Sequence, residues 1–213
     1  MMEKAPIVKI KVCGITNLED ALFCIKNKID YIGFNFYEKS PRYILPKKAK
    51  EIKDKLPRSK TKFVGVFVNE SIAGLCKIAR EVGLNLLQLH GDENSKYILN
   101  LRCKFPKAKI IRAIRVKEKA SLGGIGAISS DYILFDNYSR NKYGGTGASF
   151  YFNFLKGISR GFFLSGGVNA MNLHNALKLM PFAIDVNSGI ESTPGKKDSS
   201  KIIEILKIMR DKK

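Results

Sequence analysis

Asp136 ends the apolar run Ile133-Leu134-Phe135, and the loop after it closes with Gly144-Gly145-Thr146-Gly147. A carboxyl at the end of a buried strand is poorly solvated and has few neighbours to pair with. Such a site favours the proton-carrying form, which can act as a general acid. A glycine-rich run lets backbone N–H groups approach an anion, because no Cβ stands in the way. An acid and an anion cradle so close together suggest an enzyme acting on a small phosphorylated molecule. The same stretch also reads as a strand-end Asp capping a turn, with glycines that serve only the turn.

Other residues could join this chemistry. Cys13 lies just before an expected helix start, where the macrodipole can lower a thiol pKa. Its thiolate would serve as base or nucleophile; a buried structural cysteine is the alternative. Ser165-Gly166-Gly167 and Asn187-Ser188-Gly189 are two more turns suited to an anion. Arg42, in the loop Ser40-Pro41-Arg42, could grip a carboxylate or be an exposed loop arginine. His90 could be catalytic, although a hydrogen-bonded wall residue is the preferred reading. His174 falls on a helix face and is expected at the surface. Cys24, Cys76 and Cys103 fall in helical stretches and read as packing residues. No pair of the four cysteines has metal-ligand spacing, and HExxH-like spacing is absent.

These candidates need elements to position them. β-Branched or apolar runs at 7–13, 31–36, 63–68, 86–90, 110–114, 132–136, 162–165 and 183–186 predict strands. Between them lie helical patterns. Thr16 and Glu19 form a capping box, with Leu18, Ala21, Leu22 and Ile25 on one face. Pro46 opens a second helix with Ala49, Ile52 and Leu56 inward. Further helices are marked by Ile72, Leu75, Cys76 and Ala79, by 94–102, by Leu173, Ala176, Leu177 and Met180, and by Ile202, Ile205, Leu206 and Met209. The helix expected within 117–129 is weakly signalled because Gly123, Gly124 and Gly126 interrupt it. The helix after Gly147 looks short.

Eight strands alternating with eight helices call for a parallel sheet with helical cover. Eight such units in a chain of 213 residues predict a closed (β/α)8 (TIM) barrel, one domain over 1–213. An open doubly wound sheet is the runner-up, but Cys13-Gly14-Ile15-Thr16 lacks the GxGxxG fingerprint. In a barrel, function gathers at the strand C-terminal ends. There the chain offers Cys13, Arg42, Asn69, Gln88, His90, Arg112, Arg115, Asp136, Ser165, Gly166, Gly167, Asp185, Asn187, Ser188 and Gly189.

Composition excludes several classes. No apolar run approaches the roughly 18 residues of a membrane span. The opening MMEKAPIVKIKV is not expected to be a signal peptide, since charges interrupt any apolar region. Scattered cysteines suggest a reducing cytoplasm. The formal net charge of +19 could indicate nucleic acid, but the lysines are spread over helices such as 46–60. Solvated helix faces are the simpler reading, with attraction of an anionic substrate as a by-product. A basic nucleic-acid-binding module would show steeply salt-dependent DNA binding.

At these residues the chain resembles the phosphoribosylanthranilate isomerases of tryptophan biosynthesis. The matching motifs run almost end to end: KVCGIT at 11–16, SPRYI at 40–44, VGVFVN at 64–69, LQLHG at 87–91, LFDN at 134–137, GGTG at 144–147, LSGGV at 164–168 and DVNSGIESTPGKKD at 185–198. The resemblance implies a (β/α)8 barrel without metal or organic cofactor. It implies an Amadori rearrangement of N-(5-phosphoribosyl)anthranilate to 1-(2-carboxyphenylamino)-1-deoxyribulose 5-phosphate. It makes Cys13 the general base and Asp136 the general acid. It sets Arg42 against the anthranilate carboxylate and Asp185 against the sugar hydroxyls. It gives the phosphate to the backbone around Gly145, Gly147, Gly166, Gly167, Ser188 and Gly189. The expected partner is a small phosphosugar, with no nucleic acid or membrane, in a monomer or homodimer. Two departures stand out: Tyr151-Phe152 follow Phe150 where the family often has Trp, and Asn187 replaces a usual small Ser.

Overall fold

A computed structural model describes residues 7–137, 152–155, 157–158 and 160–211. Eight parallel strands form a closed barrel in chain order: β1 (Lys9–Val12), β2 (Tyr31–Asn35), β3 (Lys62–Phe67), β4 (Leu86–Leu89), β5 (Lys109–Val116), β6 (Tyr132–Asn137), β7 (Phe162–Leu164) and β8 (Ala183–Val186). β8 pairs back onto β1, with Ile184 opposite Ile10 and Val186 opposite Val12, and this closes the ring. The expected closed barrel is the one found, and the doubly wound alternative is ruled out. Several strand ends differ by one or two residues from the sequence reading.

Helices cover the barrel: α1 (Leu18–Lys26), α2 (Pro46–Asp54), α3 (Ile72–Val82), α4 (Ser95–Lys104), α5 (Ala170–Leu177) and α6 (Ser199–Arg210). Eight were expected, and six α-helices occur among the described residues. Between β5 and β6 the chain makes only the 3-10 turns Lys119–Leu122 and Ile125–Ala127. Glycine in a helix costs about 1 kcal/mol relative to Ala, and three of them here exceed what the segment's few apolar residues offset. Before β7 there is a 3-10 turn, Phe152–Leu155. The expected Thr16–Glu19 capping box is also corrected. Asn17 caps α1 by accepting the Asp20 N–H at 2.8 Å, while the Thr16 hydroxyl donates to the Gly195 carbonyl at 2.6 Å.

Strand side chains alternate between two environments. Ile10, Val12, Ile32, Phe34, Leu87, Leu89, Ile133, Phe135, Leu164, Ile184 and Val186 belong to the apolar layer under the helices. Tyr31, Val64, Leu86, Ile111, Ala113, Leu134, Phe163 and Ala183 form a second cluster that fills the barrel. Phe163 sits at its centre, with the Tyr31 and Tyr132 rings both edge-on to it at 5.5 Å. Further along the same inward rows the residues become polar: Lys11 and Cys13 after β1's start, Gln88 and His90 after Leu86, Asp136 after Leu134, and Asp185 after Ala183. The apolar plug therefore forms the floor beneath a polar mouth. Cys24 and Cys76 are buried as expected, but Cys103 is exposed and does not serve packing. Among the described residues, no helix is long and apolar enough to cross a membrane.

Candidate active site

One cleft at the C-terminal mouth is lined by Cys13, Arg42, Gln88, His90, Asp136, Ser165, Gly166, Gly167, Asp185, Asn187 and Ser188, among others. Most residues singled out from the sequence thus converge on a single site. Gly145 and Gly147, with the Tyr151 departure, lie outside the described residues.

Lys11 organises the floor of this cleft. It is fully buried. Its ammonium donates to Asp185 Oδ2 and Gln88 Oε1, each at 2.8 Å. Burial disfavours this charge, but Asp185 and Cys13 outweigh it and hold the Lys11 pKa above its ordinary value. Asp185 Oδ1 is buried with no hydrogen-bond partner among the described residues. An acceptor left unmade inside a cleft is costly unless a ligand group satisfies it.

Cys13 is also buried, and here the sequence expectation is corrected. α1 begins only at Leu18, so its dipole does not reach the thiol effectively. Burial instead pushes the Cys13 thiol up, with Asp185 adding to the rise; Lys11 and Lys197 oppose it. Space for the thiol comes from Gly33 on the neighbouring strand. A Cβ there would stand 2.9 Å from Cys13 Sγ and 3.3 Å from Lys11 Cε.

Asp136 is 2 % exposed, but it is not short of partners as the sequence suggested. His90 Nε2 lies 3.0 Å from its Oδ2, and His90 Nδ1 lies 2.8 Å from Gln88 Nε2. His90 is therefore a hydrogen-bonded wall residue that also touches Asp136.

Arg42 is not an exposed loop arginine. Its Nε donates to Glu191 Oε1 at 2.9 Å and its Nη2 to Oε2 at 2.6 Å, a two-pronged grip. Glu191 opens a hairpin of β9 (Glu191–Thr193) and β10 (Lys196–Lys197). Lys197 Nζ donates to Glu191 Oε1 at 2.8 Å and to Asn187 Oδ1 at 2.9 Å. Asn187, the second departure, is thus tied to the hairpin. Burial works against the Glu191 carboxylate, but Arg42 and Lys197 overcome it and hold its pKa below the ordinary value.

The turn after β7 takes Gly166 and Gly167 through φ of 90° and 84°, a region only glycine enters freely. Asn169, which caps α5, and Asn172 each donate a side-chain N–H to the Gly167 carbonyl, at 3.2 and 3.0 Å. That fixes the turn against α5. Gly189 follows Ser188 at the end of β8, and a Cβ on it would meet the Val168 carbonyl oxygen at 2.3 Å. The two turns consequently pack directly on each other. Among the described residues, no three His, Cys, Asp or Glu side chains are grouped to hold a metal ion.

Lys11, Glu191 and Lys197 were not among the site residues expected from the sequence. A signal for Lys11 was present: it shares strand parity with Cys13, so both must face the same side.

Fold and cleft define a (β/α)8-barrel enzyme with its chemistry at the C-terminal mouth. The profile of the N-(5'-phosphoribosyl)anthranilate (PRA) isomerases matches residues 10–208. The N-(5'-phosphoribosyl)anthranilate isomerase of Thermotoga neapolitana is 40% identical over 205 residues, 94% of this chain and 98% of that protein. The crystal structure of phosphoribosyl anthranilate isomerase from Thermotoga maritima superposes with a TM-score of 0.88 at 38% identity, covering 96% of this chain and 99% of the other. A crystal structure of such an isomerase in complex with reduced 1-(o-carboxyphenylamino)-1-deoxyribulose 5-phosphate gives 0.82 at 36% identity, over 96% and 99% of the two chains. The chain belongs to the N-(5'-phosphoribosyl)anthranilate isomerase family.

Proposed function

We propose that this cleft performs the family's isomerisation by general acid–base catalysis, with Asp136 as acid and Cys13 as base. The enzyme is an isomerase of tryptophan biosynthesis acting on N-(5'-phosphoribosyl)anthranilate. The observation that carries the assignment of roles is that a carboxyl on β6 and a thiol after β1 line one cleft. Their strands lie three apart around the closed ring, so the groups reach a bound sugar from different sides.

The steps follow from the bond changes required. Asp136 gives a proton to the ribose ring oxygen as the C1–O bond breaks. The anthranilate nitrogen lone pair forms the C=N bond of an iminium. Cys13, as thiolate, removes the proton from C2, and those electrons make the C1–C2 double bond of an enolamine. Ketonisation then leaves C2 as the carbonyl. C1 is reduced and C2 oxidised within one molecule, so the electrons balance without an external redox partner. No step requires a metal or an organic cofactor.

Arg42 meets the anthranilate carboxylate, pre-oriented by Glu191. Asp185 accepts from the sugar hydroxyls, where its uncommitted Oδ1 supports the role. The phosphate is taken by backbone N–H groups around Gly166, Gly167, Ser188 and Gly189, together with Gly145 and Gly147. We take 1–213 as one domain, working in the cytoplasm as a monomer or homodimer without nucleic acid.

The test is an assay with freshly made phosphoribosylanthranilate, following loss of its fluorescence. Turnover well above the uncatalysed background is expected. A folded sample showing none would overturn the proposal.

A further inference from the structure

Four side chains from three strands run across the cleft in series: Lys11, Gln88, His90 and Asp136. We propose that Gln88 is a positioning residue that bars His90 from taking the proton of Asp136. This rests on the reading of Asp136 as the acid.

The argument starts from Lys11. An ammonium has donors only. The 2.8 Å contact from Lys11 Nζ must therefore meet the carbonyl oxygen of Gln88, which fixes which way the amide faces. Its NH2 group is turned to His90 Nδ1, 2.8 Å away. An N–H that donates needs an acceptor, so Nδ1 carries no hydrogen and the ring hydrogen sits on Nε2. That N–H donates to Asp136 Oδ2 at 3.0 Å. The lysine thus sets the tautomer of the histidine through one amide.

The consequence concerns the acid. Nε2 already carries a hydrogen, so a ring that gained the Asp136 proton would have to hold a second one on Nδ1. The Nδ1 hydrogen would then face the Gln88 NH2 group, two donors opposed in a buried site. A carboxyl whose proton had passed to the imidazole would be left as half of an ion pair, useless as an acid. Gln88 removes that outcome and leaves the carboxyl proton for the substrate. Among the described residues, charged groups facing the ring include Asp136 from β6, Asp185 from β8 and, through Gln88, Lys11 from β1.

Two histidines, His90 and the exposed His174, make the ring nitrogens readable by 15N NMR. A His174→Gln variant assigns the signals. In the wild type, His90 should carry one hydrogen, on Nε2, at neutral pH. Gln88→Glu replaces the donor by an acceptor that still bonds Lys11. There both His90 nitrogens should be protonated, and kcat should fall about 100-fold with KM changed less than about threefold. Gln88→Met keeps the size but opposes nothing. It should show a larger doubly protonated fraction than the wild type and an intermediate kcat, and it serves if the Glu variant does not fold. A hydrogen on Nδ1 in the wild type would overturn the proposal. So would a doubly protonated ring with wild-type kcat. Asp136→Asn is run in parallel: if it retained wild-type turnover, the acid assignment would fall, while the nitrogen signals would still decide whether the tautomer is locked.

Discussion

Cys13 carries two demands that conflict. As the proposed base it would reach C2 of a bound sugar from inside the cleft, while burial raises its pKa and favours the unreactive thiol. Lys11 is the group that opposes this, and Lys197 assists from further away. Lys11→Met should therefore lower kcat by about 10- to 100-fold, since a positioned base contributes about 10²- to 10⁴-fold and only part of that depends on the neighbouring charge. The pH at which the thiolate absorbance appears should rise with it; an unchanged kcat would show that Lys11 does not support the thiolate. Asp136→Asn should remove most turnover, because an amide cannot give up a proton to the ring oxygen. Cys13→Ser should do comparable damage, because a hydroxyl is a far weaker base. Cys24→Ser, buried but outside the cleft, controls for loss of a thiol and should keep wild-type rates. Should Cys13→Ser retain its kcat in a steady-state assay, the base must be another group of the cleft.

The strand is the element that places all of these groups, and its period of two explains what could and could not be read beforehand. Leu86, Gln88 and His90 share one face of β4 and its extension, so the apolar floor and the polar mouth lie on one row. The closed barrel was legible because eight strand patterns recur with helical patterns between most of them. One helix was over-read, and the one expected after Gly147 begins outside the described residues. In 117–129 the glycines outweigh the sparse apolar positions, and tertiary cover on that side comes from 3-10 turns instead. Cys13, Asp136, Arg42 and Asp185 were legible from strand ends and motifs. Lys11 offered only its strand parity with Cys13, and an alternating lysine normally faces water; its burial needs Asp185 and Gln88, contributed by strands far away in sequence. Glu191 was missed for the same reason, its partner Arg42 being 149 residues distant. At this scale the turn after β7 gives a test. Gly167 has φ of 84°, and its carbonyl is tethered by Asn169 and Asn172. Gly167→Val should raise KM by at least about tenfold, the worth of a single 1.4 kcal/mol contact, with kcat less affected. An unchanged KM in a folded variant would take this turn out of the phosphate site.

Across the whole molecule, the cluster of Arg42, Glu191 and Lys197 joins the start of the barrel to its end. Arg42 belongs to the loop after β2, and Glu191 and Lys197 belong to the hairpin after β8. Glu191 is the only carboxylate in direct contact with both cations among the described residues. Losing one partner of such a buried pair costs about 3–5 kcal/mol, because the other charges remain buried. Glu191→Gln should accordingly lower Tm by roughly 10 °C for a chain of this size. The pH dependence has a definite sign. The folded-state pKa of Glu191 is held below its ordinary value of 4.5. A group depressed in this way contributes its stability in full above the unfolded value, and loses it as pH falls through the folded one. Wild-type Tm should therefore be sustained near neutrality and decline below about pH 4.5. The Glu191→Gln protein starts lower but lacks this proton uptake, so its curve should be flatter over the same acid range. Thermal melts of both proteins in steps from pH 7 to about pH 3 make the comparison. Parallel curves would mean that Glu191 is not the carboxylate through which acid loosens the barrel's closure.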